Sequence, residues 1–335
     1  MISDIRPNAE YKVITRCFTY NQSKYIEDAL NGFVMQKTNF PFVCVIIDDA
    51  STDGEQDVIK AFLEREFDFT EDDCKETDDA QVIVAKHKTN TNCTFAVYFL
   101  KENHYSIKRS KDPYLNPWRE KCKYEALCEG DDYWIEPLKL QKQYEILENN
   151  PNVSMVFHRA RIKNELSIPI YIKCDNITNR EYSATEIFEN WIVPTASVIY
   201  RKECRNYPIK NRKNILYGDI FLFEQCAHMG KVRGMSECMS VYRMQEHGVV
   251  YDKDRILHNI FCLPEHNKCI AANFPKIDRN VNNKLLAISY WNRANYQTCI
   301  TDRINDVYNG IMYGTLRITL EQIKKRIKAR ISCLF

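Results

Sequence analysis

Glycine is scarce in this chain, with 9 in 335 residues, and none precedes Gly32. The N-terminal region therefore holds no glycine-rich loop of the kind that cradles a triphosphate. No stretch approaches the roughly 20 apolar residues of a membrane-spanning helix. Met1–Arg6 lacks the apolar core of a signal peptide. The 14 cysteines include no C-x-x-C pair and no zinc-like spacing with histidine. They read as reduced, mostly buried thiols of a cytosolic protein, so the N-x-S/T triplets at Asn152 and Asn176 carry no glycosylation message. A net charge of +2 lacks the basic excess of a nucleic-acid binder, and none is expected as a partner. Hydrophobic residues at 44% and charged residues at 27% are those of an ordinary globular chain, long enough for one large domain and an extension.

The first half alternates strand and helix patterns. Val13–Phe18 and Val43–Ile47 are short apolar runs. Between them Ser23 can cap a helix with Ile26, Leu30, Phe33 and Val34 on one face. A second helix follows Ser51-Thr52-Asp53-Gly54, with Val58, Ile59, Phe62 and Leu63 in step. This order implies a parallel sheet with helices on its faces. Glu64–Asp79 is acidic, relieved only by Arg65 and Lys75, and reads as a solvated loop or insertion. Strand patterns recur at Val82–Ala85, Phe95–Leu100, Val153–Phe157 and Ala196–Tyr200. A polar segment with Pro113 and Pro117 leads into a further apolar run. Pro137 opens a helix that Asn149-Asn150-Pro151 stops, and Asp219–Met229 is a helix closed by Gly230. From Asp254 onward the pattern is helical.

Carboxylates sit where strands end. Ala126-Leu127-Cys128 runs into Glu129-Gly130-Asp131-Asp132-Tyr133-Trp134, and Val43–Ile47 runs into Asp48-Asp49. Val13–Phe18 ends at Thr19-Tyr20-Asn21. Open α/β sheets collect ligands at the carboxyl ends of their strands, and paired carboxylates suit hard cations such as Mg²⁺ or Mn²⁺ that arrive with phosphates. Singly, each residue has a plainer reading. Tyr20 suits a half-buried aromatic as well as a base platform, Asp49 suits a turn cap, and Asp219 suits a helix N-cap.

Taken in order, the motifs Phe18-Thr19-Tyr20-Asn21, Met35-Gln36-Lys37-Thr38, Asp48–Gly54 and Glu129–Trp134 are recognisable. Pro194–Ser197, Tyr217-Gly218-Asp219 and Val241-Tyr242-Arg243 complete the set. The chain resembles the family 2 glycosyltransferases, particularly bacterial ones that build capsular or surface polysaccharide. The resemblance runs from about Tyr11 to Val250. It implies the GT-A fold: an α/β, Rossmann-like, mostly parallel central sheet flanked by helices, here with a C-terminal helical extension. Residues 1–252 would form the transferase domain, with a nucleotide-binding part to about 135 and an acceptor part from 136. Residues 253–335 would form the extension.

The resemblance also assigns roles. Tyr20 would stack on the base, with Thr19, Asn21, Asp49 and Asp131 completing the donor site. Asp132 would bind Mg²⁺ or Mn²⁺ at the diphosphate. Asp219 would be the catalytic base of an inverting, hexosyltransferase-type reaction, and burial beside Phe221 and Phe223 would raise its pKa toward the working pH. Trp134 and Trp191 would face the acceptor. A histidine often stands two residues after Tyr-Arg; here that position is Gln245, and His247 is the substitute metal ligand.

The implied reaction moves a sugar from a nucleoside-diphosphate donor, UDP-linked, to a hydroxyl of a glycan or lipid-linked acceptor. A sugar-nucleotide pyrophosphorylase and a non-catalytic nucleotide- or glycan-binding protein are the alternatives. The missing glycine loop disfavours the first, and the intact Asp132 and Asp219 disfavour the second. Along 316–335, Leu316, Leu320, Ile323, Ile327, Ile331 and Leu334 recur at helical spacing among six Lys/Arg and one Glu. That pattern suits peripheral contact with the inner face of the cell membrane by a cytoplasmic protein, or packing on protein, including a homo-oligomer.

Overall fold

The structure, a computed structural model, describes residues 9–165, 174–245 and 253–332. Residue contacts divide the chain into two units. The first holds residues up to Tyr182, Ile192–Asn206 and Met229–Met244; the second holds Ser183–Trp191, Tyr207–His228 and the chain from Gln245. The helical second unit thus draws two segments from within the range expected for the transferase domain.

Unit one is built on twelve strands among the described residues. In chain order these are β1 (Val13–Thr19), β2 (Phe42–Asp48), β3 (Phe67–Asp68), β4 (Cys74–Glu76), β5 (Ala80–His87) and β6 (Cys93–Leu100), then β7 (Tyr124–Leu127), β8 (Tyr133–Trp134), β9 (Val153–Asn164), β10 (Glu181–Tyr182), β11 (Ile199–Arg201) and β12 (Lys231–Met244). The sheet order is β10-β12-β9-β11-β7-β1-β2-β6-β5-β3, with β4 on β5 and β8 on β12. The centre, β7-β1-β2-β6, is parallel. Antiparallel neighbours flank it at β5 and β11.

Parallel strands covered on both faces read as continuous apolar runs, and all seven residues of β2 are buried. Phe42, Cys44 and Ile46 point into one core. That core holds Ile26, Leu30 and Phe33 of α1 (Ile26–Val34), and Ile59, Phe62 and Leu63 of α2 (Glu55–Glu66). Val43, Val45 and Ile47 point the other way, toward Tyr114, Leu115 and Trp118 of α3 (Asp112–Glu120). That polar-looking segment is a helix because Pro113 sits in its first turn, where a missing N–H costs nothing, while its apolar residues share one face. α4 (Lys139–Asn149) follows Pro137 and stops at Asn150.

The acidic stretch Glu64–Asp79 is not a free loop. It completes α2 and then supplies β3 and β4, both antiparallel to β5. Phe67 is buried against Phe95 and His87 and Phe69 packs on the same core, which anchors a segment whose charges are otherwise exposed or paired at the surface. The longest strand, β12, is absent from the sequence reading, and β9 runs seven residues beyond Phe157. β12 mixes charge with bulges where it pairs with β9, which erases a clean period.

Unit two comprises α5 (Ala184–Asn190), α6 (Gly218–Met229), α7 (Lys253–Asn273), α8 (Arg279–Tyr296), α9 (Ile300–Tyr313) and α10 (Leu316–Ser332). Among the described residues no helix is long and apolar enough to cross a membrane, and every cysteine is free.

Candidate active site

The carboxyl ends of β1, β2 and β7 lie side by side, because β2 and β7 flank β1. After Leu127 the chain stays on β1: Cys128 N–H donates to Arg16 O at 3.1 Å and Gly130 N–H to Phe18 O at 3.0 Å. A Cβ on Gly130 would overlap Thr19 Oγ1 and lie 2.5 Å from Gln22 Oε1, so only glycine allows this approach. The Glu129 carboxylate accepts the Phe18 N–H at 3.2 Å and faces Arg16 at 3.5 Å.

Asp132 is buried. Its Oδ1 accepts the Arg243 N–H at 2.9 Å. Burial, then the charge of Asp131 beside it, pushes its pKa well above the usual carboxylate range, against the opposing Arg243 N–H. The Arg243 guanidinium, also buried, donates to Asp131 O at 3.0 Å and Asp28 at 2.7 Å, and reaches Glu165 at 3.5 Å. It lies between the rings of Tyr25 and Tyr133, at 4.4 and 5.2 Å. Arg243 thus fixes the backbone of the aspartate pair and is itself occupied by carboxylates. From the sequence Arg243 reads as a charge near the diphosphate or at a sheet edge, and nothing local marks it as the clamp.

Asp131, Asp132 and Glu129 crowd negative charge at one strand end, and this excess is what a divalent cation would relieve. Among the described residues no three His, Cys, Asp or Glu side chains form a metal cage. A cation here would be held by Asp132 together with phosphate and water oxygens, the habit of Mg²⁺. His247 lies outside the described residues, and Gln245 is buried.

Around the β1 and β2 ends the donor-site residues take distinct places. Tyr20 is 46% exposed. Asn21 adopts φ 53°, which asparagine tolerates, and its Oδ1 accepts the Thr52 N–H at 2.8 Å. Thr19 is buried, with its hydroxyl against Gln22 and the Glu55 carboxylate, and is therefore internal framework. Glu55, unnoticed in the sequence, also accepts from Gln22 N–H and Ser51 Oγ and so joins both loops. Asp49 is buried and takes His104 N–H at 2.8 Å, Tyr105 N–H at 3.1 Å and Lys111 Nζ at 2.7 Å. A base N–H would have to share an oxygen with these donors. The second oxygen of Asp48 is buried without a partner, and burial raises that carboxyl's pKa.

Trp134, expected at the acceptor side, is a core residue. It is 1% exposed, donates to Ala196 O at 2.7 Å and meets Phe33 edge-on at 5.0 Å. Its partner below is Lys139 Nζ, 4.1 Å from the ring centroid and 2.8 Å from Gln143 Oε1. Burial brings that amine down to about 7. The alternation along β8 decides this: Tyr133 and Trp134 point to opposite faces, and Gly32 of α1 lets the β8 backbone come within 3 Å of a Cβ position.

In unit two, Trp191 caps α5 at φ 49°, is 43% exposed and meets Tyr217 edge-on at 4.5 Å. Asp219 stands in the first turn of α6, half-buried, with Oδ1 accepting the Ile220 N–H at 2.8 Å. Phe221 and Phe223 are buried. The structure thus brings Thr19, Tyr20, Asn21, Asp49, Asp131 and Asp132 to the strand ends of unit one, and holds Trp191 and Asp219 in unit two.

Residues 18–71 match the family described as Glycosyl transferase family 2. Uncharacterized proteins of Mycobacterium bovis and Mycobacterium tuberculosis are 29% identical over 234 residues, 69% of this chain. The chain spans 58% of the length of these relatives. Residues 1–349 of S. aureus TarS, solved in complex with UDP-GlcNAc, share the fold at a TM-score of 0.55 and 14% identity, over 92% of this chain and 82% of that one. The mannosyltransferase PcManGT from Pyrobaculum calidifontis, solved with GDP-Man and Mn²⁺, does so at 0.52 and 14%, over 97% and 82%. By these matches residues 18–71 are similar to glycosyl transferase family 2, and the chain shares the GT-A fold of these solved structures.

Proposed function

We propose that the chain is an inverting hexosyltransferase that moves a sugar from a UDP-linked donor to a hydroxyl of a glycan or lipid-linked acceptor, in surface polysaccharide synthesis. The observation that carries this reading is the buried Asp132, crowded by the charge of Asp131 after β7, with the exposed Tyr20 following the neighbouring β1. Tyr20 takes the base by stacking, and Asn21 and Asp131 border the donor. Asp132 would hold Mg²⁺ or Mn²⁺, which would supply positive charge to stabilise the departing diphosphate. The complexes of TarS with UDP-GlcNAc and of PcManGT with GDP-Man and Mn²⁺ support a nucleotide-sugar donor and a divalent cation.

Asp219 takes the proton of the acceptor hydroxyl as its oxygen attacks the anomeric carbon from the face opposite the diphosphate. One in-line displacement inverts that centre. Trp191, with its exposed ring, offers an apolar face for a sugar. The test is a panel of UDP- and GDP-sugars, with and without Mn²⁺, read as nucleotide release in the presence of glycan acceptors. UDP release that needs the cation supports the reading. Asp219→Asn should lose at least about 100-fold in transfer with UDP binding intact. Transfer by this variant at the wild-type rate overturns the base assignment, and GDP release alone overturns the donor.

A further inference from the structure

α9 packs with the wrong side inward. At about 100° per residue, Ile300, Ile304, Tyr308 and Ile311 fall within about 80° of one another, with Met312 at the margin. All five are exposed, Ile300 at 65%, Ile304 at 62% and Met312 at 63%. The residues that α9 buries are Asp306 and Gly310. Asp306 pairs with Arg293 of α8 at 2.6 Å, and Gly310 admits the Trp291 indole, which a Cβ would approach to 2.8 Å. The helix therefore uses an ion pair and a glycine to dock on its own unit, and presents its large apolar side chains outward. After the turn at Gly314-Thr315, α10 continues the run with Leu316 at 77% exposure, then Leu320 and Ile323. Arg317, Lys324 and Lys325 are exposed among them.

We propose that the α9 stripe and the start of α10 form a docking surface for an anionic lipid bilayer. α9 supplies apolar insertion and α10 supplies attraction to acidic headgroups. The charge decides between occupants. Two copies meeting through this surface would bring together Arg317, Lys324 and Lys325 of each, with only Glu321 opposing them, whereas an acidic lipid surface neutralises them. The basic tail alone suggested such contact from the sequence; the inverted packing of α9 does so independently of that tail and of the transfer reaction.

The test is co-sedimentation of the full chain with vesicles of phosphatidylcholine, alone or mixed with phosphatidylglycerol. Binding should favour the anionic vesicles by at least about tenfold and weaken with salt. Ile304→Asp with Met312→Asp should lower binding by at least about tenfold. Lys324→Glu with Lys325→Glu should remove the preference for the anionic lipid. All four side chains are exposed, so each variant should keep the wild-type circular dichroism and melting curve. Failure of the wild-type chain to sediment with anionic vesicles overturns the proposal, as does unchanged binding by the Ile304→Asp/Met312→Asp variant. A dimer in light scattering that Ile304→Asp splits assigns the stripe to a second copy instead, and overturns it equally.

Discussion

Lys139→Met isolates a charge that folding holds under the aspartate strand. The amine is fully buried, with Gln143 Oε1 and the Trp134 ring as its partners. Burial takes it from an ordinary 10.5 to about 7. Because the folded value is the lower one, the unfolded chain binds more protons between pH 7 and 10.5, and wild-type stability rises across that window. At about 1.4 kcal/mol per pKa unit, the lysine sets stability back by roughly 5 kcal/mol at pH 6, where the folded state must bury the charge. At pH 9 the cost is roughly 2 kcal/mol, that of deprotonating an amine the unfolded chain would keep charged. Methionine fills similar space without titrating. It leaves Gln143 Oε1 unpaired at about 1 kcal/mol, a loss that is the same at both pH values. Urea unfolding followed by tryptophan fluorescence should therefore give a variant-minus-wild-type difference about 2.5 kcal/mol more favourable to the variant at pH 6 than at pH 9. Equal differences at the two pH values would show that the amine is not held neutral by burial, and the reasoning would fail.

Two further outcomes follow from the geometry. Arg119 grips buried Glu125 of β7 through two bonds of 2.8 and 3.0 Å, so Arg119→Met should cost about 3–5 kcal/mol in denaturant unfolding, and Arg119→Met with Glu125→Leu should recover most of it. Equal losses in the single and double variants would mean that the pair does not carry the penalty. Gly130→Ala should push the strand end off Thr19 and Gln22, costing about 1–3 kcal/mol in stability and weakening UDP binding in titration calorimetry; an unperturbed variant would mean that the segment yields freely.

The local chemistry of the strand ends was legible from the chain alone. Apolar runs of strand length closed by Thr19-Tyr20-Asn21, Asp48-Asp49 and Asp131-Asp132 need no tertiary information, since a buried parallel strand must be apolar and its end must meet solvent. The helices α1, α2, α4 and α6 were equally legible from period and from Gly and Pro punctuation, although α1 starts at Ile26 after Tyr25 with no side-chain cap, and Ser23 does not cap it. Three things depended on the fold. Whether an aromatic faces out or in turned on packing: strand alternation and Gly32 placed Trp134 in the core, while Trp191, at the end of α5, is exposed. The partners of Asp49 and Asp132 come from 55 to 111 residues away, in Lys111, His104 and Arg243, and such pairings leave no local trace. The outward face of α9 was decided by what α8 offers it, an arginine for Asp306 and an indole for Gly310; periodicity gives a helix its stripe, but only packing decides which side is buried.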